Sequence, residues 1–342
     1  SDGAARYTVT CLKNYGERMM GVIRDLTVGK PGRILTLFAL PMLISVVFQQ
    51  FYNMADNIVA GQFLGDTALD AVSISYPATM IYTSVALGIN IGVNVVVSQL
   101  FGSHQYGKMK SAVPTSLIAT AALAGIMTVL GLVLCRPLLY LLNTPEHLME
   151  PALSYLDIYT LGLLFILLYN TCTGIFTSLG DTVTPLVFLI VSSLGNVGVN
   201  ILFVTSLSMY VEGLALATVL CQALAAAASF GVLLLRLRRI PSDPYQRFSS
   251  RLLSSISKMA IPGICQKSFV SVGNLMIQSV VNSYAATVPG IIGGFPSATK
   301  LLYIVIYLNA SVASALAGFS AQNIGAGQPA RLKPGLKGAV IL

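Results

Sequence analysis

Residues 34–65 read ILTLFALPMLISVVFQQFYNMADNIVAGQFLG. The stretch is long and apolar enough to cross a bilayer, which takes about 20 residues of helix. It carries one charge, Asp56. A carboxylate at the centre of a membrane helix costs roughly 2.5–3.5 kcal/mol on insertion scales. A chain that keeps one there aims it into a bundle or a wet cavity, where a proton, an ion or a cationic solute can meet it. Gln49, Tyr52, Asn53 and Asp56 fall at i, i+3, i+4 and i+7, so they share one helical face.

The rest of the chain has the same character. Of its 342 residues, 55% are hydrophobic and only 9% charged, and the mean hydropathy is +0.78. A soluble domain carries about 25% charged residues. Apolar spans fall at 34–63, 69–99, 112–135, 152–179, 184–207, 211–235, 259–284 and 291–320, and a ninth begins near Gly338. No ten-residue alternation separates short turns, so the spans are helices rather than barrel strands. The expectation is an all-α polytopic membrane protein.

The net charge of +8 is not a nucleic-acid footprint, because the basic residues sit between spans. Segments 1–33, 100–111, 236–258 and 321–337 hold 6, 2, 6 and 3 Lys or Arg, which is 17 of the 20. The opposite loops hold only Arg136, while Lys267 and Lys300 lie within spans. The positive-inside rule then places the N-terminus in the cytoplasm of a cell-membrane protein. Residues 136–151 read as a short amphipathic interfacial segment. Cys11, Cys135, Cys172, Cys221 and Cys265 are scattered without a CxxC or Cys/His cluster, so no disulfide framework, structural metal or cofactor is expected. No HExxH, paired-aspartate or Ser/His motif lies within the spans, so no enzyme is expected either.

The chain repeats itself. Ser98–Lys110 (SQLFGSHQYGKMK) answers Ala321–Lys333 (AQNIGAGQPARLK), with Gly102 and Gly325 differing by 223. Phe38–Pro41 answers Met259–Pro262, a difference of 221, and Tyr76–Thr79 answers Phe295–Ala298, a difference of 219. Three matches in order at a nearly constant offset indicate a duplication. Six helices per repeat is an even number, so the two lobes enter the membrane in the same sense, related by an axis along its normal. The expected organisation is a 1–33 cytoplasmic segment, a 34–235 six-helix lobe, a 236–258 linker and a 259–342 incomplete second lobe, about eight helices and the start of a ninth. The position of the second lobe equivalent to Asp56 at offset 221 is Ile277, so the lobes are not chemically symmetric.

Asp56 has candidate partners on two other spans. Asn196 and Asn200 stand at i and i+4 on the fifth, and Thr218 lies on the sixth. Buried amides and hydroxyls in lipid need partners, so these residues either glue the bundle or, with the carboxylate, supply oxygens to a small hard cation. Burial disfavours the charged form of any carboxyl, which makes protonation usable as a switch.

These stretches carry a resemblance. FALPMLISVVFQQFYNMADNIVAGQFLG (38–65), NVGVNILFV (196–204), VEGLALATV (211–219) and AQNIGAGQPARLK (321–333) are together similar to the multidrug and toxic compound extrusion (MATE) family of secondary transporters. The resemblance implies two six-helix lobes forming an outward-opening V. It also implies export of amphipathic organic cations by a monomer in exchange for inward H⁺ or Na⁺. It makes Asp56 the coupling acid and assigns Gln49, Tyr52 and Asn53 to the cavity. Asn196, Asn200 and Thr218 become partners of the coupling site, where Na⁺ would also bind. At position 200 the family commonly has Asp. The Asn there removes a second carboxylate, which weakens the Na⁺ reading and leans towards protons. The alternatives are a flippase for a lipid-linked precursor, or an exporter of a non-drug metabolite on the same fold. The first six spans hold no Lys or Arg clear of the loops, which argues against a flippase.

Overall fold

The computed structural model describes residues 24–142, 144–240, 244–283 and 291–342. Side chains of a few residues inside its helices, among them 52–57 and 291–301, are outside the described set. All regular structure among the described residues is helical. Helix α1 spans Pro31–Val59 and runs on as a π-helical turn, Ala60–Leu64; α2 spans Asp66–Gly102, α3 Tyr106–Leu141, α4 Glu146–Leu161 and α5 Leu163–Ser178. Then come α6 (Val183–Thr205), α7 (Val211–Arg239), α8 (Ser250–Ser283), α9 (Ile291–Gly325), a 3₁₀ turn (Pro329–Arg331) and α10 (Leu332–Ile341).

Six of these helices hold an apolar window long enough to cross a membrane, and the bent α4–α5 pair makes a seventh. The span expected as one helix over 152–179 is therefore two helices, bent by 49°. The break falls at Gly162, where α7 presses so close that a methyl group would sit 2.3 Å from Val219 Cγ2. The expected interfacial segment 136–151 is also corrected. Its first residues end α3 and its last open α4, with exposed Arg136 and Glu150 paired across the turn. Helix α8 covers the seventh expected span, 259–284. At 34 residues it is about 51 Å long. It carries Lys258, Gln266, Lys267 and Asn274, and it is not among the helices apolar enough to span by composition alone. It lies along α2 instead.

That α2–α8 packing rests on small residues. Gly88 and Gly92 stand four apart on α2, and a methyl at either would fall 2.7–2.8 Å from the backbone nitrogen of Ile264 or Ala260. Helix pairs in lipid have no hydrophobic drive to meet, so they associate where small residues let backbones close. Ser84 and Ser271 bridge the same interface at 2.9 Å. The main apolar core runs beside this interface, where Val93, Val97, Met109, Val113, Ile175 and Phe176 join α2, α3 and α5, and Ile256 of α8 adds to it.

The repeat is visible as a reciprocal contact. A methyl at Gly102 would lie 2.1 Å from the Gln322 carbonyl oxygen, and one at Gly325 would lie 2.2 Å from the Gln99 carbonyl oxygen. Gly102 and Gly325 are repeat equivalents, and so are Gln99 and Gln322. Each glycine therefore meets the other copy's glutamine, as a two-fold axis between α2 and α9 requires. Their role is close backbone approach, beyond the helix termination read from the turn sequence.

Around this contact the chain is clamped. Leu26 NH donates to Gln322 Oε1 (2.9 Å), and Gln322 Nε2 donates to the Ser178 carbonyl (2.7 Å). Asn323 Nδ2 donates to the Leu26 carbonyl, and Arg331 Nε to Asn323 Oδ1 (2.7 Å). Leu26, Gln322 and Asn323 are fully buried. Arg24 NH bonds the Leu179 carbonyl, and Gly180 takes a left-handed φ of +78° where a side chain would strike the Arg24 carbonyl. Next to it Asp181 accepts from Thr184 NH (3.0 Å), which caps the start of α6. Its other oxygen pairs with Arg236 at 2.7 Å, a partner on α7 that the turn sequence did not disclose. Burial pushes the Asp181 carboxyl up, and the Thr184 amide and the Arg236 guanidinium oppose that shift.

Gly102→Ala and Gly325→Ala should each destabilise the protein by about 1–3 kcal/mol, the usual range for overpacking a close contact. Gly125→Ala, in a helix with nothing within 4 Å of the added methyl, should leave stability unchanged or raise it. Thermal unfolding of the detergent-solubilised variants checks this. Equal melting temperatures for all three would mean that the backbone contact is not tight.

Candidate functional site

The expected polar residues lie on three helices that touch: α1 packs on α6, and α6 packs on α7. Asn196 and Asn200 face into this packing and are 2% and 1% exposed. Their i, i+4 spacing lets Asn200 Nδ2 donate to Asn196 Oδ1 at 2.8 Å. Asn196 Nδ2 in turn reaches Thr218 Oγ1 on α7 at 3.4 Å, and that hydroxyl donates to its own helix at the Leu214 carbonyl, 3.1 Å. Three of the expected residues therefore form one relay of hydrogen bonds from α6 to α7.

Gln49 joins them from α1. With Asn196, Thr218, Tyr169, Ser192, Ser193 and Gln222 it borders a cavity of about 30 Å³. A water needs about 10–15 Å³ measured in this way, so there is room for roughly two. Tyr169, Ser192 and Gln222 were not singled out in the sequence. The signal was present for two of them: Ser192 stands four residues before Asn196, and Gln222 four residues after Thr218, each on the same helical face.

The backbones of Tyr52, Asn53 and Asp56 belong to α1, while their side chains are outside the described residues. Their level in the bundle follows from neighbours on either side. Helices α1 and α6 run the same way, since Thr182 at the start of α6 bonds the Phe38 carbonyl near the start of α1 (3.0 Å). Gln49 is level with Asn196 through the shared cavity. Further along, Val59 packs in one cluster with Val204 of α6 and Leu214 of α7. Asp56 is one turn before Val59, and Asn200 is one turn before Val204. The two backbone positions are therefore within about one helical turn of each other in height, about 10 Å and 6 Å beyond Gln49 and Asn196 along their axes. Just past Asp56, α1 widens into the π-turn Ala60–Leu64, a local irregularity common at functional sites.

Chemically, this is a small polar pocket of neutral oxygens and amides, with one acid on the adjoining helix within about one turn of the level of Asn200. Among the described residues no group of three or more His, Cys, Asp or Glu could hold a metal ion.

The fold and this arrangement define a multi-pass membrane transporter, and comparison with known proteins gives its family. The MatE family model matches residues 41–202. The probable multidrug resistance protein YpnP of Bacillus subtilis is 30% identical over 313 residues, covering 90% of this chain and 68% of that protein. An FAD transporter of Shewanella oneidensis is 26% identical over 311 residues, covering 89% and 68%. An outward-facing MATE multidrug resistance transporter of the MOP superfamily superposes with a TM-score of 0.84 at 23% identity, over 93% of this chain and 70% of that one. A MOP superfamily transporter from Pyrococcus furiosus, described as having a binding pocket of reversed polarity, gives the same TM-score at 22% identity and the same coverage. The chain belongs to the MATE family of multidrug transporters and is not an enzyme. It spans about two thirds of the length of these curated relatives.

Asn196→Leu should cost about 1–3 kcal/mol, because it deprives both the Asn200 amide and the Thr218 hydroxyl of a buried partner. Thr218→Val, which loses the long bond from Asn196 and a hydroxyl bond within its own helix but keeps the Asn200–Asn196 bond, should cost less, about 0.5–1 kcal/mol. Unfolding of the purified variants in detergent tests the order, and the reverse order would refute the relay.

Proposed function

We propose that this chain forms part of an antiporter that expels amphipathic organic cations in exchange for inward H⁺, with Asp56 as the coupling group. The observation that carries the proposal is the register of Asp56. It is the one acid of an apolar span, its helix packs on α6, and its backbone lies within about one helical turn of the level of Asn200, between the cavity shared by Gln49 and Asn196 and the cluster that holds Val59 and Val204. In the proposed cycle the ionised carboxylate holds either the coupling ion or the cationic solute. Entry of a proton neutralises it and releases the solute to the outside. The neutral form favours the return to the inward state, where proton loss resets the acid. A ligand shifts such an equilibrium only by binding its two states differently, and mutually exclusive occupation of one carboxylate supplies that difference.

Na⁺ is the less favoured coupling ion. It would need oxygens from Asn196, Asn200 and Thr218 beside the Asp56 carboxylate. Asn196 Oδ1 and Thr218 Oγ1 already accept from neighbouring amides, and position 200 brings no second charge. The 17-to-1 distribution of Lys and Arg supports a cytoplasmic N-terminus in the cell membrane. The protein would act as a monomer, since both lobes belong to one chain. A second reading is export of a non-drug metabolite by the same coupling, favoured by the likeness to the FAD transporter.

Asp56→Asn should abolish efflux of a cationic dye while leaving expression and folding intact, measured in cells or proteoliposomes. A protonophore should collapse export by the unaltered protein, and a Na⁺ gradient alone should not restore it. Undiminished efflux by the Asn variant would refute the assignment.

A further inference from the structure

Lys267 is the one charge of the apolar span 259–284, and coupling at Asp56 leaves it without a task. Its place on α8 is fixed from both sides. Ile264, three residues earlier, meets Gly88 of α2, where an added methyl would fall 2.7 Å from the Ile264 nitrogen. Ser271, four residues later, bridges to Ser84 of α2 at 2.9 Å. Residues spaced three and four apart share a helical face. Lys267 therefore faces α2 at a height between Ser84 and Gly88. That is the middle of α2, about 24 Å along its axis from both Asp70 and Gly102.

The charge has no answer nearby. The helices packed most closely on α8 are α2, α3 and α9. Helices α3 and α9 hold no Asp or Glu, and α2 holds only Asp66 and Asp70 at its far end. Residues 244–342 as a whole carry eight Lys or Arg and no acid. Among the described residues, half-buried Lys267 has no ion-pair partner. A lysine near a helix end keeps its ammonium in water by snorkelling along its stem. From mid-height the stem reaches neither surface of a hydrocarbon core about 30 Å thick. An ionisable group kept at such a depth marks a solute or ion pathway.

The face around Lys267 is polar. The Ser271 hydroxyl donates to the Lys267 carbonyl at 3.1 Å. Asn274, seven residues after Lys267 and on the same face, bonds Tyr303 of α9. Lys267, Ser271 and Asn274 thus make a stripe where α2 of the first repeat meets α8 and α9 of the second. In transporters built from repeats the substrate site lies near the bilayer midplane, at the interface of the repeats. Lys267 stands at that height and at that interface. An ammonium has three donors and no acceptor. Its strongest partners are therefore anionic oxygens, those of a carboxylate or a phosphate. No lipid headgroup reaches the midplane, so such a group arrives with the solute.

We infer that Lys267 binds a carboxylate or phosphate carried by the transported solute, at the seam of the two repeats. The inference rests on the transport reading and narrows its second form: the exported metabolite is one with an anionic group. It does not depend on which residue couples export to ions.

The test is equilibrium binding to the purified full chain in detergent, with two matched pairs of fluorescent probes. Flavin mononucleotide and riboflavin share a ring and differ in one phosphate. A xanthene dye with a free carboxylate and its methyl ester differ in one carboxylate. The unaltered protein should bind the anionic member of at least one pair more tightly by about ten-fold, the effect of one hydrogen bond to a charged group. Lys267→Met should abolish that preference by weakening the anionic member, and should change the other member by less than about three-fold. Lys267→Arg, which keeps the charge, should keep the preference. Thermal unfolding separates this role from a structural one. Lys267→Met should melt no lower than the unaltered protein, and a large drop with equal losses for both members would overturn the inference. No preference in either pair, or one that survives Lys267→Met, would overturn it as well. Proton-driven efflux is measured separately. An anion preference without coupled export would count against the transport proposal and leave the anion site standing.

Discussion

Every polar group carried into this apolar bundle has to find its partner there, since hydrocarbon offers none. That constraint organises most of the structure. The Asn200–Asn196–Thr218 relay ties α6 to α7. The Gln322 and Asn323 amides bind the strand of chain at Leu26. Asp181 is answered by Arg236 and by the Thr184 amide. In each case a group that would be costly if left alone instead fixes which helices are neighbours.

The second organising element is backbone contact through small residues. Gly88 and Gly92 bring α8 onto α2, and Gly102 and Gly325 bring the two repeat copies together. The two kinds of contact work at different places. Glycines set how closely helices approach, and polar relays set which faces meet. The polar clamp surrounds the glycine contact at the Gly102 and Gly325 ends of α2 and α9. A rearrangement of the lobes would have to break it.

Much of the architecture was legible in the chain. The all-helical spans, the duplication and the shared face of Asn196 and Asn200 all follow from periodicity, self-similarity and composition, and the structure bears them out. Other features were misread. The bend at Gly162 was hidden because an apolar run looks the same straight or bent, and only the approach of Val219 shows why the chain turns. The segment 136–151 looked amphipathic because it joins two helix ends of different faces. Arg236 was counted as a loop charge, although it reaches back to a turn more than fifty residues earlier.

The sequence by itself determined the membrane class, the repeat and the lone acid at position 56, because hydropathy, self-similarity and a single charge are properties of the linear order. Only the tertiary structure decided that Gln49, Asn196, Gln222 and Ser192 border the same cavity, and that Tyr82 of α2 stacks on Tyr159 of α4. Those relations join residues far apart in the chain. They depend on crossing angles and on sub-ångström backbone approach, which no local pattern of residues encodes.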